Sequence, residues 1–535
     1  MAHDISEVAL QHRSRDWTFY LVLFGVVGPV WLVVPACWGF VIYATATSAL
    51  WDFGWLGNTA FAVALFEVFF SIYYSYLAQC LSSPTTTPIK TVEELQVALT
   101  RVVKSGLANL SEDDFDTESL DESRPGSPEE DIIQLDHDDP RAIDFRNSFR
   151  TWFGFVPWSQ VRLHEVRQWL YWALFNAALP PLETLPEDRR VALDAAVEMF
   201  QKRVGRPVPE GRSPHIKTVR LSVDKFNAYC RPFLVYVFVF TLNCMAKARL
   251  RSKYGLKFSS YEGLEYGIHI PDTWDPTSGP RPIVFFHGLG LGISQYKLAV
   301  SRLLQHFSDR PLLVVLQPHV SQDIFHPHFL KPMTRKQTTE LLARFLDHLG
   351  WADLTDSGNP SEKPTEKKEA KENIREKKGV TMLSHSNGTY CHGWMLKDYP
   401  HMITRSCFVD PVAFCCWEGD VCYNFLYRPC ATGIDLIMRY FVGREIGIAN
   451  LLQRQYDWSS NALWYEEIPN ARDYNKTFFV LGGNDIIVKA QRVTQYLTSH
   501  GIKKNLYLDP KGHHGQPFLL NGESHDKIIS WLRLA

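Results

Sequence analysis

The sequence predicts an α/β domain built on a mostly parallel sheet, with helices on both faces and a helical cap insert. A transmembrane helical hairpin and a helical segment precede it. Three observations carry this reading. From about Leu256 to the C-terminus, apolar runs of strand length alternate with helix-length stretches, as a parallel sheet requires. Short glycine-containing turns stand at the ends of several of those runs. Two long apolar stretches with almost no charge occupy residues 18–81.

The 535 residues allow more than one domain, and a hydrophobic content of 45% can bury a substantial core. A net charge of −2 gives no global reason to expect nucleic acid as a partner. The ten cysteines show no paired C-x-x-C arrangement with accompanying histidines, so no metal site and no other cofactor is expected. Adjacent Cys415 and Cys416 suit buried thiols in a reducing compartment.

Residues 1–81 read as a membrane anchor of two apolar helices. No charge occurs from Thr18 to Trp51, and Phe53–Leu81 is interrupted only by Glu67. Each stretch exceeds the roughly 20 residues a bilayer span requires, which fits a cleaved signal peptide poorly. Pro29 and Pro35 would kink the first helix, which allows either two spans or a hairpin dipping into one leaflet. The very short turn at Asp52 brings both ends to one side. Arg13 and Arg15 before, and Lys90, Arg101 and Lys104 after, favour the cytosolic side. Glu67 is expected to be a structural glutamate, protonated or satisfied by a partner.

Residues 82–145 are expected to be an acidic disordered linker, because SEDDFDTESLDESRPGSPEEDIIQLDHDDP from Ser111 to Pro140 has too little apolar content to fold alone. Residues 146–255 read as a helical region packed on the following domain. Val166, Trp169 and Leu170 mark one helix face, and a second helix opens at Pro186 and closes at Gly205. The apolar run Phe233–Met245 reads as a buried or interfacial helix rather than a span. The basic residues Lys247, Arg249, Arg251 and Lys253 that follow suit anionic headgroups.

In the α/β domain, 256–535, strands are expected at Leu264, Arg281–Phe286, LLVVLQP, Val380, the run before Asp410, Thr477–Leu481 and Asn505–Leu508, with a helix over Thr334–His348. A solvated insertion occupies 353–379 and a cap 411–475. The run at Val380 stops at Ser384-His385-Ser386-Asn387-Gly388, a strand, sharp turn and helix with Ser386 at the apex. An ordinary turn would also fit these five residues, and Ser384 departs from the usual glycine. The context adds weight. His287-Gly288-Leu289-Gly290 ends an earlier strand, where acyl transfer needs a backbone N–H aimed at the oxyanion; Leu289 and Asn387 would supply the pair. His287 is expected to prop that loop, while Gly288 and Gly290 let it approach substrate. Asp485, in GGND, ends a downstream strand and is placed to orient an imidazole. Lys511-Gly512-His513-His514-Gly515 supplies that imidazole, with His513 and His514 equally eligible. Asp410 is the runner-up acid.

With HGLG, SHSNG, GGND and GHHG in this order, the chain resembles an α/β-hydrolase of the lipase/esterase kind from roughly Leu264 onward. The resemblance implies Ser386 as nucleophile, Asp485 as orienting acid and His513 or His514 as base. The expected function is a membrane-anchored serine hydrolase cleaving carboxylic esters, lipid esters above all. Acyl transfer to an alcohol and a catalytically silent scaffold are the alternatives. A bilayer and a hydrophobic ester are the expected partners, with the hydrolase domain cytosolic at the endoplasmic reticulum or a lipid droplet. The aromatic-rich cap, with Trp417, Phe425, Phe441 and Trp464, would form either its own core or an apolar pocket above Ser386.

Overall fold

A computed structural model describes residues 4–11, 13–84, 91–105, 132–354 and 378–534. The acidic stretch through residue 131 and the insertion over 355–377 lie outside the described residues. Eight strands form one sheet: β1 (Lys257–Tyr261), β2 (Leu264–His269), β3 (Ile283–Phe286), β4 (Leu312–Val315), β5 (Val380–His385), β6 (Ile403–Val409), β7 (Thr477–Gly482) and β8 (Leu506–Asp509). The order across the sheet is β1-β2-β4-β3-β5-β6-β7-β8. β2 runs antiparallel to both neighbours, and every pairing from β4 through β8 is parallel. This is the α/β-hydrolase fold.

The central strands β3, β4, β5 and β7 are buried along their whole length, which is why they read as unbroken apolar runs. β1 is the strand the sequence did not suggest. It is a polar edge strand, KFSSY, joined to β2 through Glu262 and Gly263, both at positive φ.

Side-chain alternation sends successive strand residues to opposite faces. Val284, Met382 and Phe408 join a core with Trp152, Trp169 and Phe200 of the helical region. Phe285, Leu383 and Val314 face Leu303 and Trp531 on the other side. The helical region is therefore one flank of the domain. Arg492 clamps it there, donating to both carboxylate oxygens of Asp144 at 2.7 and 2.8 Å and to Glu418.

The linker reading of 82–145 needs correction in part. Val92–Lys104 is a helix with a Thr91/Glu94 capping box, and Pro140–Phe149 is another. Their buried Leu95, Leu99, Val102, Phe145 and Phe149 pack on the helical region. The amphipathic pattern of VEELQVALTRVVK was masked by the acidic composition that follows it.

The first apolar helix runs Trp17–Ala46 and the second Trp55–Cys80. Ahead of Pro29, which has no N–H to give, the first helix widens into a π turn over Leu23–Val27. The apolar run at Phe233 continues as a helix to Tyr254, longer than expected, so three helices among the described residues are long and apolar enough to cross a membrane. Yet Leu221 before this third helix and Leu264 after it sit in one core. A bilayer crossing would place them on opposite sides.

Glu67 of the second helix accepts hydrogen bonds from the backbone N–H groups of Phe233 (2.8 Å) and Leu234 (3.0 Å). It thus satisfies two of the donors that a helix N-terminus leaves free, next to Pro232, which cannot cap with a side chain. Tyr74 donates to Tyr229 O (2.7 Å) two turns further on. Replacing Glu67 by leucine takes the acceptor from both amides at once. We expect a loss of about 1–3 kcal/mol, read as a lowered thermal midpoint of the detergent-solubilised protein, with Glu67→Gln markedly milder.

Candidate active site

β5 ends in a turn that holds Ser386 at φ +52°, a left-handed conformation a non-glycine residue adopts only when its surroundings impose it. The helix Gly388–Asp398 starts at once and passes so close to β3 that a Cβ on Gly388 would lie 2.5 Å from Phe286 O. That approach explains the glycine after the apex. Before the apex, Ser384 fills the place of the usual glycine, and its Oγ is hydrogen-bonded to His392 Nδ1 (2.8 Å) within that helix. His392 Nε2 in turn meets Ser406 Oγ (3.0 Å), so the departure from the motif is a satisfied buried chain.

The structure brings His514, and not His513, to Ser386. His514 Nε2 lies 2.8 Å from Ser386 Oγ, and His514 Nδ1 lies 2.6 Å from Asp485 Oδ2. The other Asp485 oxygen accepts from the backbone N–H groups of Ile487 (2.7 Å) and Val488 (3.0 Å), which fixes the carboxylate. The His513 side chain is exposed, and its backbone N–H donates to Gln516 Oε1 (3.0 Å). Asp410, the second acid considered, instead accepts from the N–H groups of Gly482 (2.8 Å) and Gly515 (2.7 Å). It ties the end of β7 to the histidine loop.

On the other side of Ser386 stands the turn His287–Gly290. His287 is buried, hydrogen-bonds Gly288 O through Nδ1 (2.9 Å) and accepts from Gln317 N–H through Nε2 (3.3 Å). It props the loop, and burial holds its pKa down to about 4. A Cβ on Gly288 would meet Ser386 Cβ at 2.8 Å. Gly290 sits at φ +145°, with its N–H on Val320 O. Among the described residues, the backbone N–H groups of Leu289 and Asn387 donate to no acceptor. Two free donors beside a hydroxyl are what an oxyanion requires.

Sequence reasoning missed two residues here. Tyr296 Oη accepts from Gly288 N–H (3.0 Å) and donates to His385 Nδ1 (2.7 Å), so the His287–Gly290 turn and the turn at Ser386 share one phenol. His385 is fully buried, its ring 5.0 Å from that of His514. Burial, followed by the neighbouring His514 and His287, holds its pKa well below the ordinary value. Only the position of His385 inside the motif could have drawn attention to it; Tyr296 carried no signal. Ligand atoms of His385, Asp410 and His514 fall within 4.8 Å of one another. They are poorly suited to a metal, since both Asp410 oxygens accept backbone amides and both His514 nitrogens are engaged.

Above Ser386 opens a cavity of about 1090 Å³, larger than the roughly 300–1,000 Å³ of ordinary ligand pockets. Its walls are mostly apolar. Phe425, Ile437 and Phe441 come from the cap and Val235, Phe238 and Leu242 from the Phe233–Tyr254 helix. The cap aromatics divide: Trp417 and Trp464 stack at 4.0 Å in the core, whereas Phe425, Phe441 and Tyr456 line the cavity.

No protein-family model matches the chain, and no curated relative matches it by sequence. Solved structures that resemble it include the α/β-hydrolase enzyme MGS-MChE2 from a lagoon-sediment metagenome, at 12% identity and a TM-score of 0.30, covering 52% of this chain and 98% of that one. Carboxylesterase CesB from Bacillus subtilis is 10% identical with a TM-score of 0.33, covering 56% and 98%. Naproxen esterase from the same organism is 10% identical with a TM-score of 0.32, covering 55% and 97%. Identities and scores this low carry nothing beyond the strand order already described.

Burial alone would depress His514, but the Asp485 carboxylate, by charge and hydrogen bond, and Asp410 behind it raise its pKa to about 9. A protonated His514 cannot take the Ser386 proton. The competent fraction therefore grows as pH rises from neutrality, and we expect phosphonylation of Ser386 to accelerate until about pH 9 and then level off. Asp485→Asn removes the charge that holds the proton. Its rate profile should shift toward acid and its plateau fall, both readable from labelling rates across pH.

Proposed function

We propose that the protein is a membrane-anchored serine hydrolase that cleaves carboxylic esters of lipids. The observation that carries this reading is the connected line Asp485–His514–Ser386 at the floor of an apolar cavity, one of whose walls is a membrane-competent helix. Ser386 Oγ attacks the acyl carbonyl as His514 Nε2 takes its proton. The oxyanion accepts the N–H groups of Leu289 and Asn387. As the intermediate collapses, His514 returns the proton to the leaving alkoxide. Water then attacks the acyl-enzyme by the same base and frees the acid.

The lipid character rests on the open side of the cavity. Phe238 and Met245 line it and yet stand 62% and 63% exposed. Exposed apolar residues bordering a cavity suit access from a bilayer better than from water. The first two helices form the anchor. The residues ahead of them pack on the same body as the hydrolase domain: Arg146 reaches Asp4 (3.1 Å), and Trp158 N–H donates to Ser6 O (2.8 Å). Both ends of the hairpin therefore return to one side, which the flanking basic residues make cytosolic. The Phe233–Tyr254 helix, whose ends cannot lie across a bilayer from each other, rests at the interface. An endoplasmic reticulum or lipid droplet surface fits this arrangement.

The test is a fluorophosphonate probe on the full-length protein in detergent. The parent is expected to label and Ser386→Ala not to; equal labelling, or none in the parent, would overturn the reading. His514→Ala should abolish turnover of a short-chain ester, while His513→Ala retains most of it. Product analysis distinguishes water from an alcohol as acceptor. Full-length protein is expected to stay with membranes through carbonate extraction, and its release would remove the anchor.

A further inference from the structure

The cavity wall formed by the Phe233–Tyr254 helix changes character along its length. Val235, Val239, Leu242, Ala246 and Arg249 line the cavity at spacings of three and four, one face of a helix. At 1.5 Å per residue this stripe is about 21 Å long, apolar over most of its course and ended by a guanidinium. A second cation, Lys297, lines the cavity from the helix Ile293–His306. The two helices are pinned together at that point, with Ser294 N–H donating to Asn243 Oδ1 (2.9 Å). Both Arg249 and Lys297 are exposed, so they border the open side of the cavity and not its floor. Among the described residues, no aspartate or glutamate lines the cavity.

A neutral ester offers two cations carbonyl acceptors but no charge to pair with. An amphiphile with a charged head does: its acyl chain follows the apolar stripe, and its anion meets the cations where the stripe ends. Resting on the hydrolase reading above, we propose that this site takes ester lipids with an anionic head, a phosphate or a carboxylate, which Arg249 and Lys297 receive while the scissile carbonyl lies at Ser386. A phosphate presents several acceptor oxygens, so it engages guanidinium and ammonium together by charge-assisted hydrogen bonds. Lys247, Arg251 and Lys253 lie on the same helix without lining the cavity, and they serve general attraction to an anionic bilayer.

The test separates these roles by placing lipids at trace level in nonionic micelles, where no anionic surface exists. Full-length Ser386→Ala protein is immobilised, and binding of radiolabelled 1-O-alkylglycerol 3-phosphate is compared with that of 1-O-alkylglycerol of the same chain. The phosphate form is expected to bind about tenfold tighter or more. Arg249→Gln with Lys297→Gln should erase that preference, whereas Arg251→Gln with Lys253→Gln should keep it. Equal binding of the two lipids, a preference that survives the first pair, or one lost equally in both pairs would overturn the proposal. So would displacement by inorganic phosphate at the lipid's own concentration, which would assign the cations to a free anion. A thermal midpoint of the first pair equal to that of Ser386→Ala alone shows that it is folded. Because binding to Ser386→Ala needs no chemistry, a failed fluorophosphonate reaction with the preference intact removes the hydrolase reading alone. Labelling without preference removes the anionic head alone.

Discussion

Ser386 at φ +52° is the constraint around which the rest is arranged. Holding a non-glycine residue there costs on the order of 1–3 kcal/mol, so it persists only where neighbours leave no alternative. Those neighbours come from both sides in the sheet. β5 lies between β3 and β6, its amides are fixed by both, and the Ser386 N–H is taken by Val409 O at 3.2 Å. The helix that follows packs tightly on the end of β3, where even a Cβ on Gly388 would lie 2.5 Å from Phe286 O. The strain lifts the hydroxyl above the sheet, and there the loops after β3, β7 and β8 reach it.

The long apolar helices are built into the same framework. Glu67 fixes the start of the Phe233–Tyr254 helix. Just before it, buried Arg231 donates to Gln322 Oε1 (3.1 Å) and to Tyr440 O in the cap. Gln322 itself donates to Gly290 O (3.2 Å) in the His287–Gly290 turn and to Phe441 O (2.8 Å) in the cap. Arg454, from the cap, donates to Leu81 O at the end of the second apolar helix (2.8 Å). A short run of hydrogen bonds thus joins the second apolar helix, the wall helix, the cap and the loop beside Ser386. Each arginine here is buried against carbonyl oxygens, with the charge of Glu445 acting on Arg231 and that of Asp224 on Arg454, which offsets the cost of a buried cation.

How much of this was legible in the sequence follows from where the information lies. Strands β3 to β7 announced themselves because central strands must be apolar on both faces, with the turn residues Gly288, Ser386 and Asp485 at the ends of three of them, whereas the partly buried β2 and β8 showed through the proline- and glycine-containing turns that follow them. The edge strand β1 had neither property. Val92–Lys104 has a good amphipathic pattern, yet its acidic neighbours carried it into a stretch read as linker. The choice between His513 and His514 was not local at all. It depends on Asp410, more than a hundred residues upstream in sequence, taking the N–H of Gly515, which sits at φ +72° and turns His514 inward. The role of Tyr296 as a shared partner of two loops is likewise a fact of packing that no spacing encodes.

The two aspartates around His514 show how the site divides its electrostatics. Asp485 is bonded to the imidazole and sets its tautomer, leaving Nε2 to face Ser386. Asp410 is deeper, and burial pushes its pKa up to about 6 although two amides point at it. Its charge still reaches His514, so a protonated His514 is supported from two directions while only one carboxylate fixes its orientation. His385 lies on the remaining side with its ring against His514, and there a second positive charge would be repelled. Keeping His385 neutral, with Tyr296 donating to its Nδ1, lets it pack beside His514 without competing for its proton.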